Sequence, residues 1–266
     1  MSNFIEFQHK KIHYKHEGVG KTIVFLHGFL ENLHIWDAYT ENLCNEFQIV
    51  SIDLPGHGQT ENFADVHTME FIADCVDEVL KTLNINKFVL VGHSMGGYVS
   101  MAYSRKFTKK LTGLVLFHSH AAADSEQGKI NRSRTIEIIQ KNHKDFITYF
   151  IPELFAEENR KMYSHEISIL QKAARNMSKP AIIAALEGMK QRPDSLDVLE
   201  KLLCPVLFIL GKQDSRTPWE MMQKQISLPK ISEMLLLENV AHVGFIEAEK
   251  YCLESLRCFA QKISFD

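Results

Sequence analysis

The sequence lacks an excess of charge of either sign and contains no long basic run. Its 30 lysine and arginine residues are offset by 33 aspartate and glutamate residues, which gives a formal net charge of -3. Nucleic-acid-binding domains carry clustered basic residues, so we expect no nucleic-acid partner. The apolar runs also fall well short of the roughly 20 residues that a membrane-spanning helix needs, so we expect no membrane insertion.

Cysteine is scarce as well, with five residues scattered along 266 positions. No C-x-x-C pair occurs, which disfavours zinc ribbons and dithiol redox sites, and we expect neither a metal nor a cofactor. The first residues lack the basic segment and the apolar core of a secretion signal. Together with reduced thiols, this pattern predicts a cytoplasmic protein.

Short apolar runs alternate with helical repeats along the chain. We predict strands at residues 4–7, 11–16, 22–26, 47–52, 88–91, 111–117, 206–210 and 232–237. Apolar residues at helical spacing predict helices at 69–83, 95–107 and about 246–263. Continuous apolar runs are typical of strands buried on both faces of a parallel sheet. The sequence therefore predicts an α/β fold in which about eight mostly parallel strands are flanked by helices.

This alternation is interrupted once, between residues 121 and 203. The stretch has helical periodicity without a strand pattern, and strands resume only after Cys204. We therefore predict a core formed by residues 1–120 and 204–266, with residues 121–203 inserted between its two parts as a helical cap.

The segment Gly92-His93-Ser94-Met95-Gly96 matches the pattern G-x-S-x-G and stands between a predicted strand and a predicted helix. In that setting the chain reverses sharply at the serine, and side chains two residues to either side would collide, which explains the glycines. The turn presents the hydroxyl at a helix N-terminus, where free N–H groups favour developing negative charge. The motif predicts that Ser94 is a catalytic nucleophile.

A serine hydroxyl needs a general base, and the loop after the last predicted strand supplies one at His242. Asp214 follows the preceding strand and would orient the imidazole, while Asp124 is the alternative acid because it follows strand 111–117. The carboxyl ends of parallel strands share one edge of the sheet, so these loops should meet Ser94 there. If the imidazole keeps its ordinary pKa of about 6.5, activity should fall near pH 6 to 7.

A tetrahedral intermediate also requires two N–H donors for its oxyanion. We assign them to the backbone amides of Met95, directly after the nucleophile, and of Phe29, in the turn after strand 22–26. Side chains near these turns are candidate substrate contacts, although core packing explains each of them equally well. The candidates are Leu30, Trp36, His118, His120, Met162, Trp219 and Val243. For the two histidines, hinge hydrogen bonding and a transient metal are further alternatives.

In order and spacing, these motifs resemble those of the α/β-hydrolase family. The resemblance rests on His27-Gly28-Phe29, Asp53-Leu54-Pro55-Gly56-His57-Gly58, the Ser94 elbow, Gly211-Lys212-Gln213-Asp214 and Ala241-His242. Serine, aspartate and histidine also follow one another in the chain order of that fold. Within the family the chain is similar to small carboxylesterases and 3-oxoadipate enol-lactonases, most of all at residues 185–195.

The resemblance implies a serine hydrolase that cleaves a carboxylic ester or lactone of a small molecule through an acyl-enzyme on Ser94. Two alternatives stay open: a C–C bond hydrolase or lyase that uses the same triad for proton transfer, and a non-catalytic ligand-binding relative. A serine at the elbow argues against dehalogenases and epoxide hydrolases, which use an aspartate there. We expect a monomer or a small homo-oligomer.

Overall fold

Eight strands form the centre of the fold. The computed structural model describes residues 2–264, and its strands are β1 (Ser2–Phe7), β2 (Lys10–Glu17), β3 (Thr22–Leu26), β4 (Gln48–Ile52), β5 (Phe88–His93), β6 (Leu111–Phe117), β7 (Val206–Gly211) and β8 (Ser232–Leu237). They form one sheet in the order β1-β2-β4-β3-β5-β6-β7-β8. The predicted α/β fold with eight mostly parallel strands is confirmed.

The sheet is antiparallel at one edge and parallel elsewhere. β1 pairs with β2 and β2 with β4 in the antiparallel sense, whereas all pairs from β4–β3 to β7–β8 are parallel. Strands β3, β5, β6 and β7 are buried along their whole length, as their apolar runs predict. Their registers align Leu26 with Gly92, Gly92 with Leu116, and Phe117 with Ile209. The turns that follow these strands therefore emerge at the same edge.

Helices accompany the sheet along the chain. They are α1 (Asp37–Leu43), α2 (Met69–Thr82), α3 (Met95–Phe107), α4 (Glu126–Phe150), α5 (Ser164–Arg175), α6 (Lys179–Gln191), α7 (Leu196–Lys201), α8 (Trp219–Ile226), α9 (Gly244–Glu247) and α10 (Glu249–Lys262). Short 3-10 helices lie at Leu33–Trp36, Thr108–Lys110, Pro152–Leu154 and Glu157–Asn159. Within residues 2–264, no helix has both the length and the apolar character needed to cross a membrane.

Side-chain caps and backbone breaks fix several helix ends. The hydroxyls of Thr68, Ser125 and Ser178 accept a backbone N–H from the first turns of α2, α4 and α6, which satisfies donors that have no partner inside the helix. The helix predicted for residues 246–263 is divided into α9 and α10, because Ala248 leaves helical geometry with φ −143° and ψ 38°.

Only helices lie between β6 and β7, and residues 121–203 are called the helical insertion below. Its longest member, α4, kinks at Asn142, where φ is −152° and ψ is 91°. The backbone N–H of Ser195 donates to the carbonyl of Ala121 at 2.9 Å and closes the base of the insertion. The N–H of His242 donates to the carbonyl of Leu154 at 2.8 Å, so the insertion lies directly against the loop that follows β8.

Trp36 belongs to an aromatic cluster in the core. Its side chain is fully buried, and its ring centroid lies 4.8 Å from that of Phe25, 5.3 Å from Tyr39, 5.6 Å from Phe117 and 5.9 Å from Phe245. Aromatic pairs at such spacings stabilise a core beyond their buried area. The candidate role of Trp36 as a substrate contact is therefore corrected to core packing.

Candidate active site

Ser94 occupies a strained turn between β5 and α3. Its φ of 49° and ψ of −112° place it in a region that non-glycine residues rarely adopt. A Cβ on Gly92 would lie 2.4 Å from the carbonyl oxygen of Gly96, and a Cβ on Gly96 would lie 2.6 Å from the carbonyl oxygen of Leu26. Glycine is thus required at both positions, as predicted, but the reason differs from the expected collision between two side chains: each Cβ would strike backbone atoms.

A continuous hydrogen-bonded chain joins Ser94, His242 and Asp214. Ser94 Oγ lies 2.8 Å from His242 Nε2, and His242 Nδ1 lies 2.8 Å from Asp214 Oδ2. Because the carboxylate accepts, Nδ1 carries the proton and Nε2 is left as the acceptor for the serine hydroxyl. The three loops after β5, β7 and β8 meet at the edge where their strands end.

Asp124, the alternative acid, lies elsewhere in the site. Its carboxylate pairs with the guanidinium groups of Arg132 and Arg192, the latter at 2.7 Å. Of the two candidate acids, only Asp214 is hydrogen-bonded to His242.

The carboxylate of Asp214 is buried and surrounded by donors. Oδ2 accepts from His242 Nδ1, from His118 Nδ1 at 3.2 Å and from Thr217 Oγ1 at 2.5 Å. Oδ1 accepts from the backbone N–H groups of Arg216 at 2.8 Å and of Thr217 at 3.4 Å. Burial alone would raise the pKa of Asp214, but the attraction of His242 and the hydrogen bonds hold that pKa well below its ordinary value. Asp214 is therefore a carboxylate across the working pH range.

His118 supports Asp214 and does not line the cavity beside Ser94. The N–H of Gly244 donates to His118 Nε2 at 3.2 Å, so the proton of this histidine is on Nδ1, facing Asp214. The ligand atoms of His118, Asp214 and His242 lie within 4.8 Å of one another. Both Nδ1 atoms donate protons to the carboxylate, however, so the group fits a hydrogen-bond cluster better than a metal site. The candidate role of His118 as a substrate contact is therefore corrected to support of Asp214, which agrees with the hydrogen-bonding alternative.

A second buried pair, Glu31 and His93, joins the three functional turns. His93 Nδ1 lies 2.9 Å from Glu31 Oε2, and His93 Nε2 lies 2.9 Å from the carbonyl oxygen of His242. Both ring nitrogens face acceptors, so both carry protons and His93 is an imidazolium. Burial opposes that charge, but Glu31 outweighs it and raises the pKa of His93. Glu31 Oε2 also accepts the N–H of Gly28 at 2.6 Å, so one ion pair links the turn after β3, the Ser94 turn and the loop that contains His242.

We expect this ion pair to contribute strongly to stability. Glu31→Ala should lower the free energy of unfolding by about 3 to 5 kcal/mol, because it leaves a buried imidazolium without its counter-charge. Glu31→Gln should cost less, since the amide can still accept the N–H of Gly28. Urea unfolding at neutral pH measures both losses. The control is Glu238→Ala, which breaks an exposed pair with Lys212 and should have a much smaller effect; equal losses in both alanine variants would contradict the assignment.

The two residues whose amides are assigned to the oxyanion follow β5 and β3, and their role stays a prediction. Met95 is the first residue of α3, and Phe29 lies in the turn after β3 and lines the cavity beside Ser94. Within residues 2–264, neither the N–H of Met95 nor that of Phe29 donates to a protein acceptor. Both donors are thus available to a ligand beside Ser94.

A cavity of about 580 Å³ opens in front of Ser94 and His242, between the sheet edge and the helical insertion. His120 lines it, with Nε2 3.1 Å from the hydroxyl of Tyr98, and its role as a substrate contact stays a prediction. The sequence did not identify the insertion side chains that complete the wall. They include Arg132, Phe146, Phe150, Leu154, Leu186 and Met189, joined by Arg216 and Met221 from the core.

The other predicted substrate contacts lie outside this cavity. Leu30 and Val243 are buried in the core, whereas Met162 is 74% exposed on the surface. Trp219 begins α8 and packs partly buried against the core. Residues two apart on a helix point in nearly opposite directions, so α8 presents Met221 and not Trp219 to the cavity. These four assignments are corrected.

A larger cavity, about 780 Å³, lies on the other side of Glu31, between α5 and the segment around Leu33–Trp36. Its walls include Ile35, Leu170 and Met177 but none of Ser94, Asp214 and His242. Size alone therefore does not identify the reaction site.

The acid limb of the pH–rate profile should lie lower than the sequence alone suggests. Burial lowers the pKa of His242 to about 4, although the Asp214 carboxylate opposes the shift. A general base works only when neutral, so a lowered pKa extends activity toward acid. We expect kcat/KM for an uncharged ester to stay level down to about pH 5.5 and to fall below that as the imidazole protonates. A limb centred at the ordinary histidine value of about 6.5 would contradict this environment for His242.

Comparison with known proteins places the chain among hydrolases. Residues 21–249 match the family model described as alpha/beta hydrolase fold. The (E)-2-((N-methylformamido)methylene)succinate hydrolase of Acinetobacter baylyi is 25% identical over 256 residues, which cover 94% of each chain.

Solved structures agree with this fold. An esterase from Thermogutta terrifontis, solved with malate bound, superposes with a TM-score of 0.92 at 29% identity over 98% of both chains. The enol-lactonase of Burkholderia xenovorans superposes with a TM-score of 0.90 over 98% of this chain and 100% of that one. Because the identity to the enol-lactonase is 17%, this similarity shows the shared fold alone.

Proposed function

Because the chain belongs to the α/β-hydrolase fold family, we propose that it is a serine hydrolase that cleaves a carboxylic ester or lactone of a small molecule. The observation that carries the proposal is the hydrogen-bonded chain from Ser94 through His242 to Asp214. That arrangement activates a hydroxyl for attack on a carbonyl carbon. Relatives named as a hydrolase and an esterase support the reaction class.

Acylation begins with the proton of Ser94. His242 Nε2 takes that proton while Ser94 Oγ attacks the carbonyl carbon, and the resulting oxyanion accepts hydrogen bonds from the amides of Phe29 and Met95. The intermediate collapses when the imidazolium gives its proton to the departing alcohol oxygen. Asp214 stays ionised throughout and stabilises the imidazolium.

Deacylation repeats the sequence with water. His242 removes a proton from a water molecule, the water oxygen attacks the acyl carbon, and the proton returns to Ser94 Oγ as the acid departs. The Glu31–His93 pair holds the carbonyl of His242 and the N–H of Gly28 during both halves. It thereby fixes the position of His242 relative to the turn that contains Gly28 and Phe29.

The helical insertion acts as a cap over the reaction site. Its side chains Phe146, Phe150 and Leu154 line the cavity in front of Ser94. Their apolar surface favours a substrate with an aliphatic or aromatic part and limits the length of the group that fits.

The test is an activity screen with ethyl esters of graded acyl length and with five- and six-membered lactones, monitored by acid release. The matched blank is Ser94→Ala. We expect the parent chain to hydrolyse at least one series far above the blank. Binding without turnover would favour the non-catalytic alternative, and turnover of C–C substrates alone would favour proton transfer by the same residues; either result overturns the ester assignment.

A further inference from the structure

Arg216 places a guanidinium group in the wall of the reaction cavity. Its backbone N–H donates to Asp214 Oδ1 at 2.8 Å, so the side chain leaves the chain close to the acid of the site. The guanidinium carbon lies 4.9 Å from the ring centroid of Phe150 in the helical insertion. One of its nitrogens, Nη1, donates to the backbone carbonyl of Glu153 at 3.1 Å. Contacts from both the core and the insertion therefore hold the group in place.

This cation has no carboxylate partner within residues 2–264. The carboxylate of Glu153 pairs with Arg160 at 3.2 Å, and no ion pair involves Arg216. Burial lowers the pKa of Arg216, and the more distant charges of Asp214 and Glu153 only partly offset the effect. A partly buried guanidinium that lacks a counter-ion is stabilised by an anion that enters the cavity.

The other charges that line the cavity are already compensated. Asp124 binds two guanidinium groups, those of Arg132 and Arg192. Glu31 is paired with the imidazolium of His93. Arg132, the other arginine on this wall, shares its charge with Asp124. The guanidinium of Arg216 keeps N–H donors that are available for a further hydrogen bond.

We propose that Arg216 is an anion subsite that binds a carboxylate group of the substrate, separate from the ester or lactone that Ser94 attacks. The proposal rests on the serine hydrolase function given above and names its substrate class. A guanidinium presents parallel N–H donors that match the two oxygens of a carboxylate. The cavity wall also carries Leu154 and Met221, apolar side chains that suit a short hydrocarbon spacer between the two groups.

The experiment compares anionic and neutral substrates that share one leaving group. The anionic series is the monoethyl esters of succinic, glutaric and adipic acids, and the neutral series is ethyl valerate, hexanoate and heptanoate. Arg216→Met removes the charge but keeps a side chain of similar length. Arg216→Lys keeps the charge but lacks the paired N–H donors of the guanidinium. Lys212→Met is the control, because Lys212 belongs to the same loop but is exposed and pairs with Glu238.

We expect the parent chain to prefer one anionic ester over its neutral counterpart, mainly through a lower KM. The anionic-to-neutral ratio of kcat/KM should fall roughly tenfold to a hundredfold in Arg216→Met, the range for a charge-assisted hydrogen bond of about 1.5 to 3 kcal/mol. The ratio should fall less in Arg216→Lys and stay unchanged in Lys212→Met. A preference for neutral esters at every length, or an unchanged ratio in Arg216→Met, would overturn the subsite. Hydrolysis of the neutral esters would in that case still support the serine hydrolase function. Failure to cleave either series would overturn the subsite, and failure on the lactones as well would overturn the serine hydrolase.

Discussion

Replacing Ser94 by alanine is expected to lower kcat for ester hydrolysis by roughly four to six orders of magnitude. The hydroxyl belongs to the one side chain in the proposed mechanism that forms a bond with the acyl carbon, so its removal abolishes the covalent route. The residual rate comes from the oxyanion donors and from substrate binding alone. KM should change little, because the serine hydroxyl contributes mainly to the transition state.

Steady-state rates with a purified ester substrate measure this loss. Circular dichroism shows whether the fold is kept. The substitution should leave the rest of the turn unchanged, because the side chain of Ser94 does not cap α3. Ser227→Ala is a matched control, since this exposed serine donates only to the carbonyl of Lys224. Retention of more than about 1% of the parent rate in a pure Ser94→Ala sample would rule out Ser94 as the nucleophile.

The second large effect is expected for Asp214→Asn, which should lower kcat by about ten-thousandfold. An amide nitrogen in place of Oδ2 would donate where His242 Nδ1–H now donates, so the imidazole would turn to the other tautomer and lose its acceptor for the serine proton. The hydrogen bonds from His118 and Thr217 to Oδ2 would be disturbed in the same way.

Asp124→Asn separates the two candidate acids. Asp124 pairs with Arg132 and Arg192, whereas the hydrogen bond from His242 Nδ1 goes to Asp214. Its replacement should therefore act on substrate binding and local stability, with a much smaller change in kcat than in Asp214→Asn. If Asp124→Asn is the more damaging variant for kcat, the acid is wrongly assigned.

The sequence predicts the parts of the site that follow from strand ends. Buried parallel strands read as continuous apolar runs, and their carboxyl ends must share an edge. Ser94 and Asp214 follow such runs, and His242 follows the edge strand β8, which is only partly buried. Their convergence at one sheet edge follows from these strand ends and needs no knowledge of side-chain packing. Gly92 carries equally local information, because the backbone of Gly96 in the same turn excludes a Cβ there, whereas at Gly96 the excluding atoms belong to Leu26 and His27.

Side-chain pairings between residues that are far apart in the chain could not be predicted from the sequence. The pairing of Glu31 with His93 joins residues 62 positions apart and depends on how β3 and β5 are registered. The position of His118 on Asp214 depends equally on a positive φ of 46° after β6. Neither pattern carries a sequence signal beyond the presence of a titratable residue near a strand end.

The cavity wall was the least predictable feature. Met162 and Trp219 are large apolar residues in the right part of the chain, but one is on the surface and the other packs against the core. Which side chains meet the cavity is set by how each segment packs in the folded chain, not by residue type. Burial of His242 is also set by the folded chain, and it explains why the pKa of His242 departs from the value that sequence alone suggests.

Covalent labelling tests the proposed nucleophile most directly. A p-nitrophenyl alkylphosphonate ester added to the parent chain should release one equivalent of p-nitrophenol and add one phosphonyl group, which peptide mass spectrometry should locate on Ser94. Labelling should slow in Asp214→Asn, because the base is then misoriented. A parent chain that remains unlabelled, or that carries the phosphonyl group on another residue, would contradict the assignment of Ser94.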